Sequence, residues 1–169
     1  MATATTPQRE WIASEFSKGI DAEQHLVAQA RARADSPPDP AFQVLYSEIA
    51  AADERHRVML ETIATRYGRT PSRAVASGVG ESLGRLIKDK LGNLGASPMQ
   101  LLGDDLVAKA NAIHWYLAWI EAFSALGDAE SARELSAVLT EETAHRDALQ
   151  KCLNQLVTRG ATCSESAAD

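Results

Sequence analysis

A chain of 169 residues, 45% of them hydrophobic, is long enough for one domain with a sizeable core. Ala, Leu, Glu and Arg prevail over β-branched and aromatic residues, which predicts an all-α fold. A formal net charge of −6 argues against nucleic acid as a partner, because phosphates call for clustered Lys and Arg, and no apolar run reaches the ~18 to 20 residues that a bilayer requires.

Helix punctuation divides the chain into four long segments. Thr6-Pro7 is an N-cap followed by proline at the first helical position, and the first helix should run to about Ala34, before the Asp35-Ser36-Pro37-Pro38 turn. Its inward stripe reads Ile12, Phe16, Ile20, Glu23, Val27, Ala30. Asp39-Pro40 repeats the start signal, and the second helix should end at Tyr67-Gly68 with the stripe Leu45, Ile49, Ala52, His56, Met59, Ile63. The Gly- and Ser-rich stretch from Arg69 to Gly95 keeps a helical period at Val79, Leu83, Leu86, Ile87 and Leu94, which predicts one short extra helix inside a long crossover.

Ser97-Pro98 opens the third helix, which Gly127 should stop. Leu106, Ala110, Ile113, Leu117 and Ile120 form its stripe, and Trp115, Tyr116, Trp119 and Phe123 add apolar surface on other faces. Either the short insert helix covers that surface, or it is a dimer interface. Asp128 can cap the fourth helix, expected to end near Arg159-Gly160, with the stripe Leu135, Val138, Glu142, His145, Leu149, Cys152, Leu156. The expected domain is therefore 7–159, an antiparallel four-helix bundle with flexible tails at 1–6 and 160–169. Cys152 reads as a small buried hydrophobe, and Cys163 falls in the tail, so no structural disulfide is expected. Met1 to Gln8 lacks the order of a signal peptide, which points to a cytoplasmic protein.

Two histidine motifs carry the chemistry. Asp53-Glu54-Arg55-His56 and Glu142-Thr143-Ala144-His145 each set an acid and an imidazole one turn apart on the same helix face. With Glu23 from a third helix they approach the ligand set of a di-iron or di-manganese carboxylate bundle. Mid-height burial of such groups is costly unless they are paired or ligated.

The two halves of the chain form a degenerate repeat. Glu23 precedes His56 by thirty-three residues, and the same step back from His145 lands on Ala112. His25 and His114 match in the same register. A complete dinuclear site would need a carboxylate at 112, and alanine cannot ligate. Asn111 and His114 point elsewhere on a regular helix, and Asp104-Asp105 reads as a solvated face two turns away. The candidate metal ligands are Glu23, Asp53, His56, Glu142 and His145. Glu23 and His56 are terminal to one half-site, Asp53 and Glu142 bridging, and His145 alone serves the other. Oxygen and imidazole ligands suit iron, manganese or zinc, as one ion, two or none. Tyr46 and Tyr116 are candidate donors nearby.

Asp21-Ala22-Glu23-Gln24-His25-Leu26, the Ala125 to Asp128 turn and the Thr140-Glu141-Glu142 run resemble the ferritin-like superfamily, and within it the small bacterial YciF-like stress-associated proteins. The resemblance spans most of residues 7 to 159. It implies a dimeric four-helix bundle with a di-iron or related centre, and a stress or iron-handling role with weak ferroxidase or oxidoreductase activity. The loss at Ala112 counts against oxygen-activating chemistry, which needs two metals at a fixed separation. The competing reading is a metal-free helical dimer serving as an interaction or structural module, its buried acids and imidazoles fixing helix register.

Overall fold

Most start and stop signals act as expected, but the N-cap of the first helix is Thr5 rather than Thr6, which puts Pro7 at the second helical position. The computed structural model describes residues 5–68 and 97–165, which form four long α-helices: α1 Thr6–Asp35, α2 Gln43–Arg66, α3 Pro98–Ala125 and α4 Ala129–Glu165. At the start of α1 the Thr5 N–H donates to Gln8 Oε1 at 2.7 Å. Asp39 Oδ1 accepts from the Ala41 N–H at 2.9 Å and opens a short 3-10 turn, Pro40–Phe42, that leads into α2. Ser97 and Gln100 satisfy each other's backbone N–H groups at 2.9 and 3.2 Å, a reciprocal cap on α3. Asp128 Oδ1 accepts the Ser131 N–H at 3.1 Å at the head of α4. Gly68 (φ 87°) and Gly127 (φ 72°) turn left-handed just beyond α2 and α3, where a side chain would be strained.

The end of α4 also differs. Helix α4 passes Arg159-Gly160 and continues to Glu165. A glycine inside a helix costs only about 1 kcal/mol relative to alanine, and it stops the helix only by leaving helical conformation, which Gly160 does not do. The expected short helix between Arg69 and Gly95 lies outside the described residues.

Topology follows from which ends meet. Phe42 and Tyr46, at the start of α2, share an apolar cluster with Leu102, at the start of α3. At the far end the Tyr67 and Phe123 rings lie 5.5 Å apart. Helices α2 and α3 therefore run in the same direction, and the end of α2 and the start of α3 lie at opposite ends of the bundle, about 36 Å apart for a helix of 24 residues. Helix α1 packs along α2 and α3 along α4, each pair joined by a short turn, so neighbours within a pair are antiparallel.

The core is split in two. One cluster holds Ile12, Phe16, Leu60, Ile63, Trp119, Phe123 and Leu135; the other holds Ala30, Phe42, Ile49, Leu102, Leu149 and Cys152. Between them lies a belt of buried polar groups, Glu23, Asp53, His56, Lys109 and Glu142.

Helix α3 corrects the sequence reading. Its buried face is Leu102, Asp105, Lys109, Ile113, Tyr116, Trp119 and Phe123, whereas Leu117 is 50% exposed. Hydrophobicity alone assigned Asp105 to solvent and passed over Lys109, and so rotated the stripe away from both. Trp119 and Phe123 are interior: their rings lie 5.1 and 5.4 Å from Phe16, and Gly19 of α1 leaves room for the Trp119 indole. Of the four aromatics read as extra surface, Trp115 alone remains exposed, stacked on Trp119 at 6.2 Å. No described helix is long and apolar enough to cross a membrane.

Candidate metal centre

Each helix contributes to the polar belt. Helix α1 supplies Glu23, α2 Asp53 and His56, α3 Lys109 and Tyr116, and α4 Glu141, Glu142 and His145. All five side chains singled out in the sequence meet here. They form two groups sharing Asp53: Glu23, Asp53, His56 and Asp53, Glu142, His145. Within each group one ligand atom per residue lies within 4.8 Å of the others. His145 is half-buried and the other four are buried.

Sequence reasoning missed Lys109. Its ammonium donates to Asp53 Oδ1 at 2.6 Å and to Glu142 Oε1 at 2.9 Å, with the residue only 3% exposed. Lys109 lies one turn before Ala112 on α3, so it projects from the face where the repeat lacks its carboxylate. Ala112 itself is half-buried against the apolar cluster. The available signal was Leu102, Asp105, Lys109, Ile113, Tyr116, a helical stripe legible only if charged residues count as interior. His25 and His114 do not enter the site. Each turns Nδ1 back to a carbonyl one turn earlier, Asp21 O at 2.6 Å and Ala110 O at 2.7 Å, and their matched behaviour follows the repeat.

A second layer holds the inner groups in place. The Tyr116 hydroxyl donates to Glu23 Oε1 in a short hydrogen bond. His56 Nε2 lies 3.2 Å from Glu141 Oε2, which also accepts from Arg55 at 2.9 Å. A carboxylate on the outer ring nitrogen is the usual support of a metal-binding histidine, because it fixes the tautomer and turns the other nitrogen inward. His56 Nδ1 stands 3.0 Å from Glu142 Oε1, an ion-pair distance without the alignment of a hydrogen bond.

Burial and charge divide the titrating groups. Burial, then the Glu142 and Asp53 charges, push Glu23 up to about 8, so it holds its proton at neutral pH. Burial also opposes ionisation of Glu142, but His56 and Lys109 together outweigh it and hold that carboxyl low. Asp53 lies on the high side of the carboxylate range because burial outweighs Lys109. Burial disfavours the charged forms of His56 and Lys109, yet the surrounding carboxylates, Glu142 first, raise both. Burial and the Lys109 charge lower His145, leaving a neutral imidazole suited to ligation.

Metal-ligand chemistry fits the first group well. Glu23 Oε2, Asp53 Oδ2 and His56 Nδ1 are buried and lack hydrogen-bond partners, a costly condition that a coordinated cation would relieve. Glu142 Oε2 and His145 Nδ1 are likewise unpartnered, but in their group the ammonium already contacts both carboxylates.

Next to this belt is a second buried polar network. Asp105 accepts from Tyr46 at 2.6 Å, Arg33 at 3.2 Å and Gln29 in a short bond. The acid expected on a solvated face is therefore an interior counter-ion, 5% exposed. Tyr46 belongs to this network and Tyr116 to the metal centre. A cavity of about 20 Å³, room for one water, borders both Asp105 and the Asp53–Lys109 pair.

Two antiparallel helical hairpins with α2 and α3 parallel give the chain the ferritin-like four-helix-bundle fold. A crystal structure of ferritin-like, diiron-carboxylate proteins from Bacillus anthracis strain Ames superposes with a TM-score of 0.71 at 12% identity, covering 88% of this chain and 99% of that one. By sequence the chain matches no family model and no curated protein.

Proposed function

We propose that this protein is a ferritin-like metal-binding protein whose ion lies between Glu23, Asp53 and His56. The observation that carries the reading is the set of three buried, unpartnered atoms, one on each of these side chains, in a cluster whose ligand atoms come within 4.8 Å of one another. Iron is the favoured ion, supported by the donor set and by the diiron-carboxylate neighbour. Manganese and zinc suit the same donors.

Each residue has a part. Glu23 and His56 are terminal ligands, oriented by Tyr116 and Glu141. Asp53 offers Oδ2 while Lys109 holds Oδ1. The flanking apolar clusters keep bulk water from the belt. Bound iron would supply one-electron redox chemistry, and weak oxidoreductase activity is the enzymatic form of this reading. The finer proposal, following the YciF-like resemblance, is a cytoplasmic homodimer that handles iron under stress. Elemental analysis of protein loaded anaerobically with Fe(II), then desalted, tests the core claim. Wild type should retain metal and a Glu23→Ala, His56→Ala double variant should not; metal-free wild type would remove the reading.

Lys109 favours a second reading. Its ammonium and the His56 ring can balance Asp53 and Glu142 without metal, as a buried network that fixes helix register. Under this reading stability and helix pairing are indifferent to chelators and to added Fe(II).

A further inference from the structure

The geometry points to Lys109 as a built-in cation that replaces the second metal ion of the bundle, so that the chain takes one ion where its two half-sites suggest two. This inference rests on the metal-binding reading above.

Position comes first. The Asp53, Glu142, His145 group is the half-site that repeats the Glu23, Asp53, His56 group across the two halves of the chain. Lys109 Nζ lies 2.6 Å from one of its carboxylates and 2.9 Å from the other. A metal ion held by those same carboxylates would lie against a buried ammonium. The sequence change has two parts on one helix face, a carboxylate absent at Ala112 and an amine present at Lys109 one turn away.

Charge gives the same count. Ionised Glu23, Asp53 and Glu142 carry three negative charges, and Lys109 returns one positive, leaving two for a cation to cancel. One divalent ion with neutral imidazole ligands closes the balance inside a region where uncompensated charge is expensive. A second divalent ion would leave the buried belt with two positive charges. Glu141 does not alter the sum, because its carboxylate is 45% exposed and paired with Arg55 at 2.9 Å. With an acid at 112 and a neutral residue at 109, the belt would instead carry four negative charges, the complement of two divalent ions. The pair of changes therefore removes the demand for one ion.

Native mass spectrometry of the full chain, loaded anaerobically with Fe(II) and in parallel with Zn(II) or Mn(II), counts ions per chain. The expected result is one ion in wild type and in Lys109→Arg, and two in Lys109→Ala, where one small anion from solution closes the single positive charge that three carboxylates leave. Lys109→Gln, which keeps the length and an amide donor, replaces the alanine variant if that fails to fold, and it should also gain a second ion. Mn(II) electron paramagnetic resonance reads the same difference as an isolated ion in wild type and a spin-coupled pair in the variant. Two ions in wild type or Lys109→Arg, or one ion in wild type and both neutral variants, overturn the inference while leaving metal binding intact. No ion in any of these proteins removes the metal-binding reading itself, and this inference with it.

Discussion

The ammonium of Lys109 donates to Asp53 Oδ1 at 2.6 Å, joining α3 to α2 through a pair in which neither residue is more than 3% exposed. The same nitrogen reaches Glu142 on α4, so one side chain ties three helices at mid-height. A buried pair of this kind adds little or nothing to stability over a well-packed hydrophobic replacement, but loss of one partner leaves a stranded charge.

That asymmetry sets the first prediction. Lys109→Met should cost the metal-free protein about 3–5 kcal/mol, since Asp53 then loses its hydrogen-bonding cation and His56 alone is left to balance the two buried carboxylates. Combination with Asp53→Asn should recover part of the loss, giving a clear coupling energy in a double-mutant cycle. Urea denaturation in the presence of a chelator measures both, and additive losses would show that the pair is not coupled.

The acid–base behaviour should be inverted relative to an ordinary surface carboxylate. The folded-state value of Glu23 is raised to about 8 from 4.5, so its contribution is full below pH 4.5 and lost as pH rises through 8. Glu142 is lowered, so its contribution is present above pH 4.5 and lost as the solution becomes strongly acidic. Metal-free protein should therefore be most stable at weakly acidic pH and lose on the order of a few kcal/mol towards pH 9. Glu23→Gln should flatten that alkaline decline. Thermal unfolding with chelator between pH 4 and 9 checks the slope, and a stability that rises towards pH 9 would contradict it.

Metal uptake should displace protons. At neutral pH Glu23 holds its proton, and the carboxylates around His56 favour its charged form, so a divalent ion bound by both should release up to two protons. Isothermal titration calorimetry in buffers of different ionisation enthalpy gives the number directly. No buffer dependence at pH 7 would mean that these groups are not the ligands.

Gly19→Ala tests the packing of α1 on α3. A Cβ at position 19 would overlap the outer edge of the Trp119 indole, which Phe16 at 5.1 Å and Tyr116 at 5.3 Å hold from other sides. Overpacking here should cost about 1–3 kcal/mol despite the higher helix propensity of alanine. Trp119→Phe in the same background should restore most of it, as read from denaturant midpoints.

Much of this molecule was legible along the chain. Asp39, Ser97 and Asp128 mark helix starts because their chemistry acts within one turn, the Thr6-Pro7 signal lands one residue beyond the actual cap at Thr5, and Gly68 and Gly127 mark ends for the same local reason. The acid–imidazole pairs at 53/56 and 142/145 declared a shared face through helical spacing alone, and the repeat placed Glu23 with the first of them. Ala112 was visible as a loss by the same register.

Tertiary structure decided the rest, because a charge reads as solvated until its counter-charges from other helices are known. Lys109 and Asp105 are interior only because Asp53 and Glu142 wait for one, and Arg33, Gln29 and Tyr46 for the other. With those two residues inside, α3 rotates, Trp119 and Phe123 enter the core and Leu117 faces outward. Local rules fixed where helices begin and which acids share a turn; long-range charge pairing fixed which face of α3 is the inside of the protein.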